Sequence, residues 1–199
     1  LLGTNYCEAL TILLSLIFFK ICPLISIQLL WINLVTDSLP AIGLGLTRHN
    51  KSIMEEKPKK RNQKRIITKD MLIQLLCVGI ALTILSVVGF HLALNLSGGN
   101  NEVARTTVFT ILGFGEIVQA FNLVSSKSLF KTSIKENKLF YILNSISIIL
   151  MLLILLVPPL ANLFSLTSLS STLWIYAIAS ALSPILISEI LKAFKLSKI

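Results

Sequence analysis

The sequence predicts an all-α, polytopic membrane protein built as a bundle of six transmembrane helices, on three observations. Of 199 residues 54% are hydrophobic and 14% charged, with a mean hydropathy of +0.83, far from an ordinary soluble domain and typical of a chain whose main solvent is lipid. A spanning helix needs about 20 mainly apolar residues, and such runs occur at 1–19, 24–46, 71–95, 104–125, 139–163 and 172–194. Transmembrane strands would instead show runs of about 10 alternating residues, a pattern this sequence does not offer.

The first run opens at Leu1 with no polar flank, no charged leader and no small-residue cleavage site. This predicts a fragment cut close to or inside its first helix rather than a signal peptide. The second run contains "LLWINLVTDSLPAIGLG" (29–45), which puts Asn33, Thr36, Asp37 and then Pro40 at membrane depth. The connection that follows, 47–70, holds nine Lys and Arg; that at 126–138 holds four, and the tail after 191 holds three. Sixteen of the eighteen basic residues thus fall on one side of the membrane, leaving only Lys20 and Arg105 on the other. The positive-inside rule makes the basic side cytoplasmic, with residue 1 on it, and the connections near Lys20, 95–105 and 158–171 outward.

A net charge of +9 and a run such as "KPKKRNQKR" (57–65) could also suit nucleic acid. The run lies between two apolar windows, however, and has no aromatic residues among its charges for stacking on bases. Topology and attraction to anionic lipid head groups account for it, at about 1 kcal/mol per basic residue near the surface; no nucleic-acid partner is expected. Cys7, Cys22 and Cys77 are an odd count at no ligand-like spacing and are expected as small buried hydrophobes. His49 and His91 lack metal-ligand partners at helical spacing, and no Gly-rich phosphate loop or nucleophile motif is present; no catalytic or cofactor-binding residue is predicted.

The intramembrane polar groups carry the functional signal. An ionised side chain at the bilayer centre costs at least about 2.5–3.5 kcal/mol, so such residues face the bundle interior and are functional by default. Four of the nine acids lie in spans: Glu8, Asp37, Glu116 and Glu189. Asn5 and Glu8 stand at i, i+3, Asn33 and Asp37 at i, i+4, and Glu116, Gln119 and Asn122 at i, i+3, i+6, so each set shares one helix face. Three helices therefore each offer oxygen-bearing side chains, as a hard cation needs. Pro40 has no N–H to give the carbonyl of Thr36 and its ring pushes that carbonyl aside, predicting backbone oxygens freed beside Asp37; an interrupted helix at membrane depth is tolerated where it lines a polar cavity. Polar residues also serve as interhelical glue, the competing role for Asn5, Gln119 and Asn122. Glu189, three residues before Lys192, is expected near the cytoplasmic interface beside a basic residue.

These residues also carry a resemblance. "LLWINLVTDSLPAIGLG" followed by "SIMEEKP" resembles the sixth transmembrane helix and next loop of type II P-type ATPases, specifically the sarco/endoplasmic-reticulum-like calcium pumps; "NYCE" is similar to their fifth helix, "GEIVQAFN" to their eighth and "SPILISEILKAF" to their tenth. The resemblance covers essentially the whole chain and implies that 1–199 is the C-terminal transmembrane domain of such a pump. It implies one calcium site formed by Asn5, Glu8, Thr36, Asp37 and Glu116, and a second to which Asn33 and Asp37 contribute. Ser38 stands where a glycine is often found; Asn33 is unlike the sodium/potassium-pump pattern and Glu8 unlike the secretory-pathway calcium/manganese pattern. The Asp-Lys-Thr-Gly-Thr phosphorylation motif is not in these residues, so ATP and magnesium would act only through the N-terminal half of the same pump, with calcium as the transported ion and lipids as the surroundings. The Lys- and Ile-rich, compact loops suggest a bacterial plasma membrane. The alternative from another class is a stand-alone or accessory membrane protein that binds ions or lipids without ATPase activity.

Overall fold

The computed structural model describes residues 2–46, 69–124 and 137–193. The basic loop with His49, the basic connection after residue 124 and the last residues of the tail lie outside the described residues.

Within the described residues six helices are long and apolar enough to cross a membrane. The first is α1, Leu2–Phe19. The second runs over Ser26–Gly45 as α2 (Ser26–Trp31), a π-helical segment (Ile32–Asp37) and α3 (Ser38–Gly45). Then come α4 (Lys69–Leu96), α5 (Asn101–Val124), α6 (Lys138–Leu156), a short α7 (Pro158–Leu163), and the final span split into α8 (Ser171–Ala181) and α9 (Ser183–Ala193).

Where the observed bounds depart from the apolar windows, local chemistry explains it. α5 starts at 101 rather than 104 because the Asn100 side chain accepts from the backbone N–H of Glu102 at 2.9 Å, an N-cap that satisfies a donor the helix cannot. The turn before it passes through Gly98 and Gly99 at φ of +66° and +91°, and the Gly99 N–H closes α4 on the Leu94 carbonyl at 2.8 Å. Such positive φ is open to glycine at no steric cost. The window 139–163 is not one helix: α6 stops at Leu156, Val157 is extended, and Pro158 begins α7, since a proline drives the preceding residue out of the helical region. The last window breaks at Leu182, where Pro184 has no N–H to give the Ser180 carbonyl.

The bundle is organised around α5: 72% of its most apolar 18-residue stretch is buried, against 28–33% of the corresponding stretch in each other span. Glycines let its neighbours in. A Cβ on Gly113 would lie 2.4 Å from Met151 Cε of α6, and one on Gly115 2.8 Å from Leu82 of α4; small residues at such crossings let helix backbones approach in lipid. The first span shows the polarity of a membrane helix: its buried residues are Thr4, Cys7, Glu8, Thr11 and Ser15, while Leu13, Leu16, Ile17 and Phe18 are exposed. At the less basic end two side chains tie the connections to the bundle. Arg105 Nε donates to the Cys22 carbonyl at 3.1 Å, and Gln28 Nε2 to the Phe164 carbonyl at 3.0 Å.

Candidate functional site

Three buried acids meet at the junction of α1, the π segment and α5. Glu8, Asp37 and Glu116 are 5%, 8% and 4% exposed, and each accepts a hydrogen bond from a different helix. Asn33 Nδ2 donates to Glu8 Oε2 at 3.2 Å, Thr4 Oγ1 to Asp37 Oδ1 at 3.3 Å, and Thr36 Oγ1 to Glu116 Oε2 at 2.9 Å. These bonds cross-link the second span to α1 twice and to α5 once.

The π segment supplies three of the partners. Ile32–Asp37 contains Asn33, Thr36 and Asp37, and its wider turn lies just ahead of Pro40, whose missing N–H denies an α-helical partner to the Thr36 carbonyl. A π insertion changes which face each residue occupies, and such insertions occur frequently at functional sites. Here the span is continuous rather than broken. Two carbonyls of the segment are taken up by hydroxyls: Ser38 Oγ donates to the Asn33 carbonyl at 2.9 Å, and Ser147 Oγ of α6 to the Val35 carbonyl at 3.3 Å. The Ser38 side chain, absent from a glycine, thus braces the widened turn.

Of the residues predicted from the sequence, Glu8, Asn33, Thr36, Asp37 and Glu116 are brought together. Asn5 is not: it is exposed, while its neighbour Thr4 is buried and reaches Asp37. Thr4 had a signal in sequence, since it stands at i, i+4 to Glu8, as good a register as Asn5 at i, i+3. Gln119 and Asn122 bond each other at 3.1 Å. Glu189 is half-buried, and the side chain of Lys192, its expected neighbour, lies outside the described side chains. Cys7 is buried, but Cys22 is half-buried and Cys77 is exposed on the outer face of α4, so burial holds for one of the three cysteines. His91 is exposed at the end of α4, 3.1 Å from Asn95 and stacked on Phe19.

A cavity of about 260 Å³ adjoins the acids. Its polar lining includes Thr4, Thr36, Asp37, Gln74, Glu116 and Gln119, and its walls run to Leu2, Leu44, Met71 and Leu123 at the ends of four spans. Those ends share one side of the membrane, the basic side.

Chemically, the cluster can exchange partners. Among the described residues no three His, Cys, Asp or Glu side chains are close enough to grip a metal ion alone; the acids are held apart by the amide and hydroxyls that bond them. Asn and Thr carry acceptor oxygens as well as donors. An oxygen-seeking cation entering here could draw the carboxylates inward while Asn33 and Thr36 turn their oxygens toward it, giving the mixed carboxylate, amide and hydroxyl shell such ions take.

A polytopic bundle with acids buried on three facing helices defines a cation-handling membrane protein. The chain belongs to the family described as cation transporting ATPase, C-terminus, which matches residues 21–194. It is 29% identical to calcium-transporting ATPase 1 of Bacillus cereus over 98% of this chain and 24% of that protein. The calcium-transporting ATPase of Bacillus subtilis is 27% identical over 92% of this chain and 21% of its own length. Calcium-transporting ATPase type 2C member 1 of Mus musculus is 31% identical over 88% and 19%. The chain therefore spans about a quarter of the length of such relatives or less. It is the membrane C-terminal part of a cation-transporting P-type ATPase.

Proposed function

We propose that these residues are the ion-binding membrane half of an ATP-driven calcium pump, with Glu8, Asn33, Thr36, Asp37 and Glu116 as ligands of the transported ion and Asn5 joining them where further helices of the pump cover its exposed face. The observation that carries the reading is the set of three buried carboxylates, each bonded by an amide or hydroxyl of a facing helix around the π segment. A divalent cation offsets the mutual repulsion of such acids, which lipid surroundings would otherwise magnify. Relatives named as calcium-transporting ATPases favour calcium as the substrate. ATP and magnesium would bind segments beyond these 199 residues, and the bacterial relatives support placement in a bacterial plasma membrane.

Asp37→Asn in the intact pump tests this. The substitution keeps side-chain volume but removes a charge facing the ion, and calcium affinity should fall on the order of 100-fold, about 2.7 kcal/mol. Calcium-dependent phosphorylation from ATP should fail with it. Near-normal calcium affinity in that variant would sink the assignment.

A further inference from the structure

The buried face of α1 stays polar well past the ion site. Beyond Glu8 it carries Thr11 and Ser15, both fully buried, and Ser86 of α4 is fully buried as well. The hydroxyls of Ser15 and Ser86 have no hydrogen-bond partner, and neither does Oε1 of Glu8; the Thr11 hydroxyl lies within reach of the Cys7 thiol one turn earlier. Other hydroxyls in the spans turn back onto the carbonyl four residues earlier: Thr83 onto Gly79 at 2.8 Å, Thr107 onto Val103 at 2.9 Å and Thr110 onto Thr106 at 2.7 Å. Thr11, Ser15 and Ser86 make no such bond.

They lie along one seam. Gly3, Cys7, Thr11, Ser15 and Phe19 recur at every fourth position of α1, and the ends of this row touch α4. A Cβ on Gly3 would lie 3.2 Å from Leu75, Thr83 Oγ1 is 3.4 Å from the Cys7 carbonyl, and the Phe19 ring is centred 5.3 Å from that of Phe90. The matching row on α4 is Leu75, Gly79, Thr83, Ser86 and Phe90. Both rows run in the same direction, so Thr11, one turn past Cys7, lies level with Ser86, about one turn past Thr83. Small side chains fill the seam on both helices. Three buried polar atoms without partners within a few turns call for a partner, and a bound water satisfies two to four such atoms at once.

We propose that the α1–α4 seam holds a file of internal water molecules, running from Glu8 past Thr11, Ser86 and Ser15, that hydrates the ion site from the side opposite the acid-lined cavity. The rings of Phe19, Phe90 and His91 close its far end, with Phe19 stacked 5.6 Å from His91. The hydrating role rests on reading Glu8 as part of the ion site; the file itself does not.

The test is a structure of the intact pump in lipid, at a resolution of roughly 2 Å where bound water is visible. At least two water densities should lie within hydrogen-bond distance of Thr11 Oγ1, Ser15 Oγ or Ser86 Oγ, one of them also reaching Glu8 Oε1. Hydroxyls folded back onto the Cys7, Thr11 and Leu82 carbonyls without such density would overturn the file, as would a side chain from elsewhere in the pump filling the seam. The role is tested by Thr11→Val combined with Ser86→Ala, which keeps the packing and removes two hydroxyls. Calcium affinity should fall about tenfold, the scale of an outer-shell partner, and an unchanged affinity would overturn the role. Failure of the Asp37→Asn test would leave the water densities in place, so the two readings fail separately.

Discussion

Polar side chains hold both the α6 stripe and the acid cluster in place, but through different partners. On α6 the buried residues are Phe140, Asn144, Ser147, Met151 and Ile154. Asn144 donates to the Ile117 carbonyl at 3.4 Å and Ser147 to the Val35 carbonyl at 3.3 Å. A backbone carbonyl carries no net charge, so these bonds fix packing without adding a charge that would draw a cation. At the acid cluster the acceptors are carboxylates, and each bond is one that a cation can replace. On the proposed reading the same residue types act as glue in one region and as an ion site in the other, and the charge of the acceptor separates the two.

After Asp37, the position that should break this contrast most sharply is Glu116. Glu116→Ala removes the acceptor of the Thr36 hydroxyl and a ligand oxygen together, and each pump should bind one calcium ion fewer. Glu116→Gln keeps an oxygen that can accept from Thr36 and meet a cation, so calcium binding should persist at reduced affinity. Equilibrium counting of bound calcium separates the two variants, and an unchanged count in Glu116→Ala would reduce this residue to the role Asn144 plays.

Pro40→Ala ranks next. An N–H restored at position 40 can bond the Thr36 carbonyl and favours a regular α-helix over the π segment. Losing the extra residue in that turn rotates one end of the span by about 100° relative to the other, so the Asn33–Glu8 and Thr36–Glu116 bonds cannot both survive. Calcium affinity should drop about tenfold with expression largely retained; an unaltered affinity would show that the widened turn is not what positions the ligands.

How far the sequence revealed this site depended on the scale of the signal. Isolated acids in apolar runs are conspicuous because each is costly in lipid, and Glu8, Asp37 and Glu116 were legible for that reason, as were the six spans. Facing directions were harder. Thr4 and Asn5 both sit on a register compatible with Glu8, and a rotation of about 100° between neighbours decides that Thr4 reaches Asp37 while Asn5 points out. The π segment was legible only as a disturbance at Pro40, because its form depends on the hydroxyls of Ser38 and Ser147, the latter more than 100 residues away. The central place of α5 was not legible from its hydropathy of 1.5, which equals that of the mostly exposed first span and lies between the 1.3 and 1.6 of the second and last.

Thr4→Val sharpens the comparison at the next smaller scale. It keeps the shape of the side chain and removes the 3.3 Å bond to Asp37, leaving the carboxylate in place but less firmly oriented. Affinity should fall by about tenfold or somewhat less, the range of an outer-shell partner, without loss of an ion from the count. A lost ion would promote Thr4 to a direct ligand.

The smallest effect belongs to Ser147→Ala, which removes a hydroxyl shared between the Val35 and Leu143 carbonyls, both at 3.3 Å. Interhelical hydrogen bonds in membrane proteins contribute about 0.6 kcal/mol on average, so the unfolding free energy in detergent should drop by about that much. Calcium affinity should stay within about twofold, because no carboxylate loses a partner and Ser38 still braces the π segment from within its own helix. Measuring both quantities on one preparation gives the contrast its finest test. A tenfold loss of affinity with little loss of stability would mean that the Val35 carbonyl, and through it α6, sets the shape of the ion site, and that the boundary between glue and site lies one helix further out than the acceptor chemistry places it.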